Sequence, residues 1–188
     1  MLPREFKGIK VRMLEKKDID EPEKWLDFIK NLVEENVRIE RDESPSMDEE
    51  RIYLKALWEK QSKGTGLSII AEQGGSKAGG CDITSQSWKR SHVAVVGIAI
   101  GKNFRGIGLG KFMLETAMRE ALKKLKHRPE MFRLSCLSGN TEAISLYGKL
   151  GFVETARIPE QVLHRGKYED ELVFIRKEDS EKSKPPSE

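Results

Sequence analysis

Cysteine and long hydrophobic runs are both scarce in this sequence of 188 residues. The two cysteines, Cys81 and Cys136, lie far apart and form neither a CxxC zinc motif nor a disulfide framework. No apolar run approaches the roughly 20 residues of a membrane-spanning helix, and the N-terminus shows no apolar signal-peptide core. These absences argue against a metal site, a disulfide-rich secreted domain and a membrane protein, and they predict a cytoplasmic location.

A large excess of charge of one sign is also missing. Lys and Arg number 34 against 31 Asp and Glu, so the net charge is +3 although charged residues make up 35% of the chain. The most basic run, residues 123–128, closes a helical pattern, where the helix dipole favours cations without any ligand. A nucleic-acid partner predicts clustered Lys and Arg with interleaved aromatic residues, so we expect none here.

Residues 93–126 form the most informative stretch of the chain. Val93–Ile100 is a run of small and β-branched residues that predicts a buried strand. Arg105-Gly-Ile-Gly-Leu-Gly-Lys111 follows and leads into an amphipathic helical pattern. A glycine-rich turn at a helix N-terminus presents unpaired amides and partial positive charge, so it predicts an anion site, to which Arg105 and Lys111 add full charges.

Two common phosphate motifs do not fit this glycine-rich turn. A Walker loop has more residues between its glycines and carries Ser or Thr at the position of Phe112. In the dinucleotide-binding fingerprint, the third glycine comes one residue later than Gly110 does here. The alternative to an anion site is a tight strand-to-helix turn without a ligand.

The order of the predicted elements indicates one α/β domain over residues 8–177. The predicted strands cover residues 8–14, 67–72, 78–84, 93–100, 131–137, 152–158 and 170–176, and the helices cover 22–36, 48–63, 108–126 and 141–149. A strand–helix–strand crossover makes strands 93–100 and 131–137 parallel. We therefore predict one twisted, mixed but mostly antiparallel sheet with helices on both faces.

Three finer predictions accompany this architecture. Residues 1–7 are expected to be a flexible leader. Residues 178–188 are expected to be a disordered charged tail, because this segment is poor in apolar residues. On the helix that starts near Asp48, which we expect to be its N-cap, the spacing predicts one buried face. The expected residues of that face are Ile52, Tyr53, Ala56 and Leu57.

A second motif lies downstream of the glycine-rich turn. Asn140-Thr-Glu-Ala-Ile-Ser-Leu-Tyr-Gly-Lys-Leu-Gly-Phe152 predicts a short capped helix that leads into a strand. In order and spacing, the two motifs together resemble the signatures of the GNAT superfamily of acetyl-CoA-dependent N-acetyltransferases. The resemblance covers roughly residues 8–176 and is strongest from 93 to 155.

This resemblance implies a GNAT fold with acetyl-CoA as co-substrate, bound where strands 93–100 and 131–137 splay apart. The implied cofactor-binding residues are Ile98, Ala99 and Ile100 along the pantetheine arm, Arg105, Gly106, Ile107, Gly108, Leu109, Gly110 and Lys111 at the pyrophosphate, and Asn140 and Tyr147. It also implies that Tyr147 is the general acid that protonates the CoA sulfur. From spacing alone, Tyr147 would instead be a helix aromatic that packs on Phe152.

The sequence does not assign a general base. Many superfamily members carry a glutamate on the strand equivalent to 93–100, but this chain has only Val, Ala, Gly and Ile there, and Ser135 occupies the alternative position on the next strand. The remaining candidates are His92, directly, and Asp82, Glu72 and Glu35, through water. A desolvated amine, or one that arrives deprotonated, would need no base.

Both cysteines lie within apolar strand patterns, and Cys136 has no histidine near it in the sequence. We therefore interpret Cys81 and Cys136 as buried structural residues rather than acyl-enzyme nucleophiles. This interpretation favours direct attack of a primary amine on acetyl-CoA in a ternary complex.

The sequence does not identify the acceptor amine. The classes considered are a protein N-terminus, a lysine, a polyamine and another small amine. In the superfamily, acceptor specificity comes from segments that correspond here to 38–47 and 159–170, whose acidic residues would either suit a cationic acceptor or simply be solvated. A second copy of the chain, as a homodimer, is the other partner considered. The rival functions are a catalytically degenerate acyl-CoA-binding sensor and a nucleic-acid-binding protein.

Overall fold

An eight-stranded sheet organises the chain, whose residues 2–39 and 41–178 are described by a computed structural model. The strands are β1 (Arg4–Phe6), β2 (Ile9–Met13), β3 (Gly66–Gln73), β4 (Ser76–Ser85), β5 (Val93–Ile100), β6 (Met131–Leu137), β7 (Val153–His164) and β8 (Lys167–Lys177). The helices are α1 (Lys16–Asp20), α2 (Glu23–Glu34), α3 (Met47–Ser62), α4 (Leu109–Lys124) and α5 (Thr141–Lys149), with 3₁₀ turns at Trp88–Arg90 and Lys102–Phe104.

The strand order is β1-β2-β3-β4-β5-β6-β8-β7. β5 and β6 run parallel, and the other neighbouring pairs in the described residues are antiparallel. The predicted mixed, mostly antiparallel sheet is confirmed.

β5 and β6 diverge soon after they begin. They pair only over Val93–Val95 and Met131–Arg133, although β5 continues to Ile100 and β6 to Leu137. α4 joins the two strands in the expected crossover. Beyond Val95, the edge of β5 that faces β6 has no strand partner within the described part of the chain, so a cleft opens in the middle of the sheet.

Helices cover both faces of the sheet, each over its own apolar core. One core joins α4 and α5 to the sheet through buried residues such as Leu109, Met113, Ala117, Phe132 and Tyr147. The other core joins α2 and α3 to the opposite face through Leu14, Trp25, Phe28, Leu32, Leu54, Leu57 and Ile70. The cleft therefore lies between two packed layers, and each layer can contribute side chains to it.

The buried face of α3 differs from the prediction. α3 buries Glu50, Leu54 and Leu57, whereas Ile52 is 69% exposed and Tyr53 is 49% exposed. Because Leu54 and Leu57 pack with Ile70 of the sheet, the helix is rotated so that Ile52 faces solvent.

The N-cap of α3 also differs from the prediction. Ser46, not Asp48, is the cap: the Ser46 hydroxyl accepts a hydrogen bond from the Glu49 amide, and the Glu49 carboxylate accepts one from the Ser46 amide. This reciprocal capping box starts the helix one residue before Asp48.

Both edges of the sheet extend further than predicted. Residues 4–6, which were expected in a flexible leader, form β1 and pair with β2. Residues 159–170, which were expected to be a loop, lie mainly in β7 and β8, which form a long hairpin with a register shift between Ile158 and Val162. The mostly exposed residues of β7 carry little hydrophobic alternation, so the sequence pattern underestimates the strand. Of the predicted tail, residues 179–188 lie outside the described residues.

Four charged side chains form an ionic network near the β1 edge, which we call the edge network: Arg12, Asp18, Glu72 and Lys77. Arg12 donates two hydrogen bonds to Asp18, at 2.7 and 2.9 Å, and two to Glu72, both at 2.8 Å. Lys77 Nζ donates to Asp18 at 2.7 Å and to Glu72 at 3.3 Å. The edge network therefore ties α1 to β2, β3 and β4 with two cations balancing two anions.

Candidate active site

A cavity of about 760 Å³ occupies the cleft between β5 and β6. Its lining includes Ile98 and Ala99 of β5, Ser135 of β6, Asn140 and Tyr147 of α5, and apolar residues of α2 and α3. A neighbouring cavity of about 370 Å³ shares Ile98, Ala99 and Asn140 and extends to Ile100 and Arg105. The predicted residues of β5, Asn140, Tyr147 and Arg105 thus line two adjoining cavities, whereas residues 106–111 line neither.

The glycine-rich turn presents main-chain amides at the start of α4. Gly108 is the N-cap with a φ of 94°, and no side chain caps the helix there. The Phe112 amide donates to the Gly108 carbonyl, so the amides of residues 109–111 precede the first hydrogen bond of the helix and have no intrahelical acceptor. A Cβ added to Gly106 would meet no atom within 4 Å. Free amides with open space beside them are the chemistry that favours anion binding at a helix N-terminus.

Arg105 lies at the start of this turn and is paired with an acidic side chain. Its guanidinium forms a bidentate ion pair with Glu35 at the end of α2, and its Nε donates to the Ile100 carbonyl at 2.8 Å. Arg105 therefore braces the turn against α2, and Glu35 is occupied as its counter-ion. Lys111 has a side chain 54% exposed and only a long contact of 3.9 Å with Glu115, so its ammonium group is available to an anion.

β1 supports the glycine-rich turn from outside, which the sequence did not predict. Lys7 Nζ donates to the Ile107 carbonyl at 3.0 Å. The Phe6 ring packs on Phe112 with 4.9 Å between the ring centroids, and it lies 3.6 Å from the position of a Cβ on Gly108. Contacts distant in sequence therefore hold the turn in place.

α5 contributes Asn140 and Tyr147 to the cleft. Asn140 is the N-cap, and its side-chain oxygen accepts from the Ala143 amide at 3.1 Å. Tyr147 is 5% exposed, and its ring packs against Phe152 and Phe174 with centroid distances of 6.1 and 5.5 Å. Burial raises the pKa of the Tyr147 hydroxyl well above its usual range, and the nearby thiols raise it further. Tyr147 therefore packs on Phe152 and also lines the cavity as a neutral phenol.

The opposite wall of the cavity carries an acidic pocket, which we define by Glu50, Tyr53 and Asp82. The Tyr53 hydroxyl donates to Asp82 at 3.1 Å. Burial is the main cause that raises the pKa of Asp82, against hydrogen bonds from Ser68 and Tyr53 that lower it. Burial likewise raises the pKa of Glu50, and the charge of Asp82 adds to that effect.

Glu50 was missed at the sequence level, although the pattern holds a signal for it. Glu50 precedes Leu54 and Leu57 at helical spacing, so a helix that buries the two leucines must place the carboxylate on the same face. Glu50 is 4% exposed. Its backbone amide donates to the Ser46 carbonyl, but its carboxylate forms neither a hydrogen bond nor an ion pair with any residue that the structure describes.

Three of the other candidate bases, Glu72, Glu35 and His92, lie outside the acidic pocket. Glu72 belongs to the edge network and is paired with Arg12, and Glu35 is paired with Arg105. His92 lies before β5, outside the lining of the cavity, and its carbonyl accepts from the amides that lead into β6. Among the bases considered from the sequence, Asp82 is the one that lines the cavity.

The two cysteines occupy different environments. Cys81 is fully buried, as predicted, and burial raises the pKa of its thiol. Cys136 is only partly buried and lines the cavity, which corrects the prediction that it is a buried structural residue. Burial still raises the pKa of the Cys136 thiol to about 11, so little of the nucleophilic thiolate forms near neutral pH.

Neither a metal centre nor a bilayer-crossing helix is found in the described residues. Within residues 2–39 and 41–178, no group of three or more His, Cys, Asp or Glu side chains is arranged to hold a metal ion. No helix in the same ranges combines the length and apolar character needed to cross a bilayer.

Comparison with solved structures finds the same fold in several acetyltransferases. The acetyltransferase of GNAT family from Streptococcus pneumoniae has a TM-score of 0.77 at 24% identity, covering 90% of this chain and 98% of that one. A putative acetyltransferase from Salmonella typhimurium, solved with its cofactor acetyl-CoA, has a TM-score of 0.76 at 18% identity, covering 93% and 96%. Ribosomal-protein-S5-alanine acetyltransferase from Vibrio fischeri has a TM-score of 0.81 at 14% identity, covering 96% and 98%.

Sequence comparison gives the family directly. No curated protein shows a significant match to the chain. The model of the acetyltransferase (GNAT) family, however, matches residues 29–152. This range includes the second half of α2, all of α3, the strands that bound the cleft, the glycine-rich turn and α5. The chain therefore belongs to the acetyltransferase (GNAT) family.

Proposed function

We propose that this protein is an N-acetyltransferase that transfers an acetyl group from acetyl-CoA to a primary amine by direct attack in a ternary complex. The observation that carries the proposal is the cleft between β5 and β6, which has Tyr147 in its wall and continues into a neighbouring cavity that reaches Arg105 at the start of the glycine-rich turn. Family membership supports the reaction class, and the Salmonella typhimurium neighbour binds acetyl-CoA on the same fold.

The groove has groups suited to each part of acetyl-CoA. The unpaired edge of β5 at Ile98–Ile100 can pair with the amides of the pantetheine arm as an added strand would. The amides of residues 106–111 and the Lys111 ammonium group can hold the pyrophosphate. Arg105 and Asn140 act indirectly, because one braces the turn and the other caps α5.

Tyr147 is the proposed general acid. Its raised pKa keeps the hydroxyl protonated at neutral pH, so it can donate to the sulfur as the thioester bond breaks. Proton transfer from a weakly acidic phenol to a thiolate is uphill unless the phenolate is reprotonated. The surplus proton on the newly acylated nitrogen can supply that second step.

The acceptor is proposed as a primary amine, with a protein N-terminus, a lysine side chain and a polyamine as the classes to test. The name of the Vibrio fischeri neighbour specifies a ribosomal protein alanine as its own acceptor, which makes a protein N-terminus worth including. A cytoplasmic location and a homodimer stay predictions, and the free cysteines fit a reducing compartment.

Acetyl-CoA binding and thiol release together test this function. Acetyl-CoA at a hundred times its Kd should stabilise the fold by about 2.7 kcal/mol, which raises the Tm by several degrees. An amine acceptor should then produce free CoA thiol at a rate that depends on the amine. Binding without turnover on any amine would support the acyl-CoA-binding sensor instead, and an unchanged Tm would contradict the cofactor assignment.

A pair of glycine variants tests where the pyrophosphate binds. Gly108→Val should abolish acetyl-CoA binding, because the side chain would fill the anion site and β-branched residues avoid the φ of 94°. Gly75→Val is the matched control: Gly75 has a φ of 84° in the β3–β4 turn and open space around it. If calorimetry finds wild-type affinity in Gly108→Val, the turn does not hold the cofactor.

A further inference from the structure

We propose that the acidic pocket of Glu50, Tyr53 and Asp82 receives the acceptor amine, and that Glu50 takes the proton that the ammonium group must lose. This inference rests on the proposed acetyltransferase function and supplies the base that the sequence does not assign. It also gives the class of acceptor, a primary alkylammonium ion.

The first argument is the burial of Glu50 without a partner. The residue is 4% exposed and lies in the cavity wall, yet its carboxylate makes no hydrogen bond or ion pair with the described residues. Arg41 influences Glu50 only through longer-range charge. Burying a carboxylate in this way is unfavourable, and a bound cation would offset the penalty.

The second argument is the arrangement of the two carboxylates. Glu50 comes from α3 and Asp82 from β4, and both line the same cavity. The Tyr53 hydroxyl donates to one Asp82 oxygen, which orients that carboxylate and leaves acceptor capacity for a ligand. An ammonium group is a cation with three N–H donors, so its charge and its donors both match a pocket that holds two carboxylates.

The third argument is the chemistry of the surrounding wall. Beside the acidic pocket, α2 and α3 present an apolar surface that includes Trp25, Phe28, Leu54 and Leu57. Such a surface binds hydrocarbon rather than a second charge. The combination fits a primary ammonium group on an aliphatic chain.

Every proton and bond is accounted for in the proposed acetyl transfer. Glu50 accepts one proton from R–NH₃⁺ and becomes neutral, and the nitrogen lone pair forms a C–N bond to the thioester carbonyl carbon. The C–S bond breaks, and the departing thiolate takes the proton of Tyr147. The surplus proton on the amide nitrogen restores the Tyr147 hydroxyl. The products are an N-acetylamine and CoA thiol, and Glu50 later releases its proton to water.

The pH dependence involves every charged group around Glu50. Asp82 and Tyr53 lie in the same pocket, Arg41 and Lys60 act on this pocket through their charges, and Arg38, Arg133 and Glu171 line the rest of the cavity. Replacing Glu50 with the uncharged glutamine leaves all these groups in place. A change in the pH profile of this variant therefore reports on Glu50.

The test compares Glu50→Gln with Glu59→Gln, a matched change at an exposed position of the same helix. The acceptors are butylamine, cadaverine, spermidine, Nα-acetyllysine methyl ester and a peptide with an N-terminal alanine, with thiol release as the readout. Glu50→Gln should lower kcat/KM for the accepted amine about 100-fold at pH 7 and leave the Kd of acetyl-CoA unchanged. Glu59→Gln should match the wild type.

The pH profile separates a proton acceptor from a structural residue. The defect of Glu50→Gln should shrink to less than tenfold near pH 10, because an alkylamine with a pKa of about 10.4 is then substantially deprotonated in solution. Asp82→Asn should raise the KM for the amine more than it lowers kcat, since Asp82 is assigned to binding.

The outcomes distinguish this inference from the proposed function. If acetyl-CoA binds and amines are acetylated, equal rates in wild type and Glu50→Gln, or a defect that does not change with pH, would overturn the inference alone. Bound acetyl-CoA with no transfer to any amine of the panel would also overturn it. Failure to bind acetyl-CoA at all would overturn the function on which it rests.

Discussion

Asp18 and Glu50 are two carboxylates with almost the same burial and opposite surroundings. Asp18 is 3% exposed and accepts from Arg12 and Lys77 in the edge network, whereas Glu50 is 4% exposed and has no such partner in the described residues. Burial by itself raises the pKa of both groups. For Asp18 the hydrogen bonds outweigh burial and hold the pKa well below its usual range, whereas the pKa of Glu50 is raised.

The difference indicates how a structural carboxylate can be told from a functional one. A compensated charge contributes to the fold and is harmful to remove, because its removal leaves its partners uncompensated. An uncompensated charge works against the fold, and its presence beside a cavity points to a ligand that completes it.

The largest effect is expected from Asp18→Asn. Loss of this charge leaves Arg12 and Lys77 buried with only Glu72, so the free energy of unfolding should fall by about 3–5 kcal/mol. Urea unfolding measures it, and Asp20→Asn on the exposed side of α1 is the control. A loss below about 1 kcal/mol, the median for surface pairs, would mean that the edge network is not structural.

Tyr147→Phe should affect turnover rather than folding. The variant keeps the ring that packs on Phe152 and Phe174, so the Kd of acetyl-CoA should stay similar while kcat falls about 100-fold, or about 2.7 kcal/mol. Steady-state kinetics under conditions where chemistry limits the rate give the answer. Tyr168→Phe, at a tyrosine that is 67% exposed, is the control. A kcat within twofold of the wild type would contradict the general-acid role and would mean that Tyr147 contributes only packing.

Acid should weaken the edge network by protonating its carboxylates. Arg12 holds the pKa of Glu72 at about 2, and the pKa of Asp18 is also lowered. Groups with lowered folded pKa values stabilise the fold above their unfolded values near 4, and that contribution is lost as the pH falls through the folded values. Wild type should lose on the order of 2 kcal/mol more than Asp18→Asn between pH 5 and pH 2, measured by urea unfolding. Parallel curves would contradict the pairing.

Glu50→Gln should give the smallest effect and one of opposite sign. A raised folded pKa means that ionisation favours the unfolded chain, so the penalty appears as the pH rises above the unfolded value near 4.3. Glu50→Gln should therefore be more stable than the wild type by about 1 kcal/mol at pH 8, and equally stable near pH 4. A destabilised variant at pH 8 would place Glu50 with the structural carboxylates.

Structural features that depend on one contiguous stretch of residues were predictable from the sequence. The glycine-rich turn and the helix that contains Tyr147 follow from local turn, capping and periodicity chemistry, and their positions are confirmed. Arg105 was correctly placed in the turn, but its partner Glu35 lies 70 residues earlier, and no local rule supplies such a pairing.

The acidic pocket could not be predicted for a related reason. The sequence of α3 allows two apolar faces that share Leu57, one with Ile52 and Tyr53 and one with Leu54. Contact with Ile70 of the sheet selects the second face, and this choice carries Glu50 inward toward Asp82. The full length of β7 was not predicted, because an exposed edge strand needs no hydrophobic alternation.

The contact between β1 and the glycine-rich turn makes the start of the chain a reporter of cofactor occupancy. Lys7 and Phe6 touch the turn directly, and β1 is a strand of three residues at the edge of the sheet. A short edge strand opens easily, so ordering the turn with acetyl-CoA should slow amide hydrogen exchange in residues 4–6. Isotope uptake at this edge would then measure ligand binding from outside the cleft.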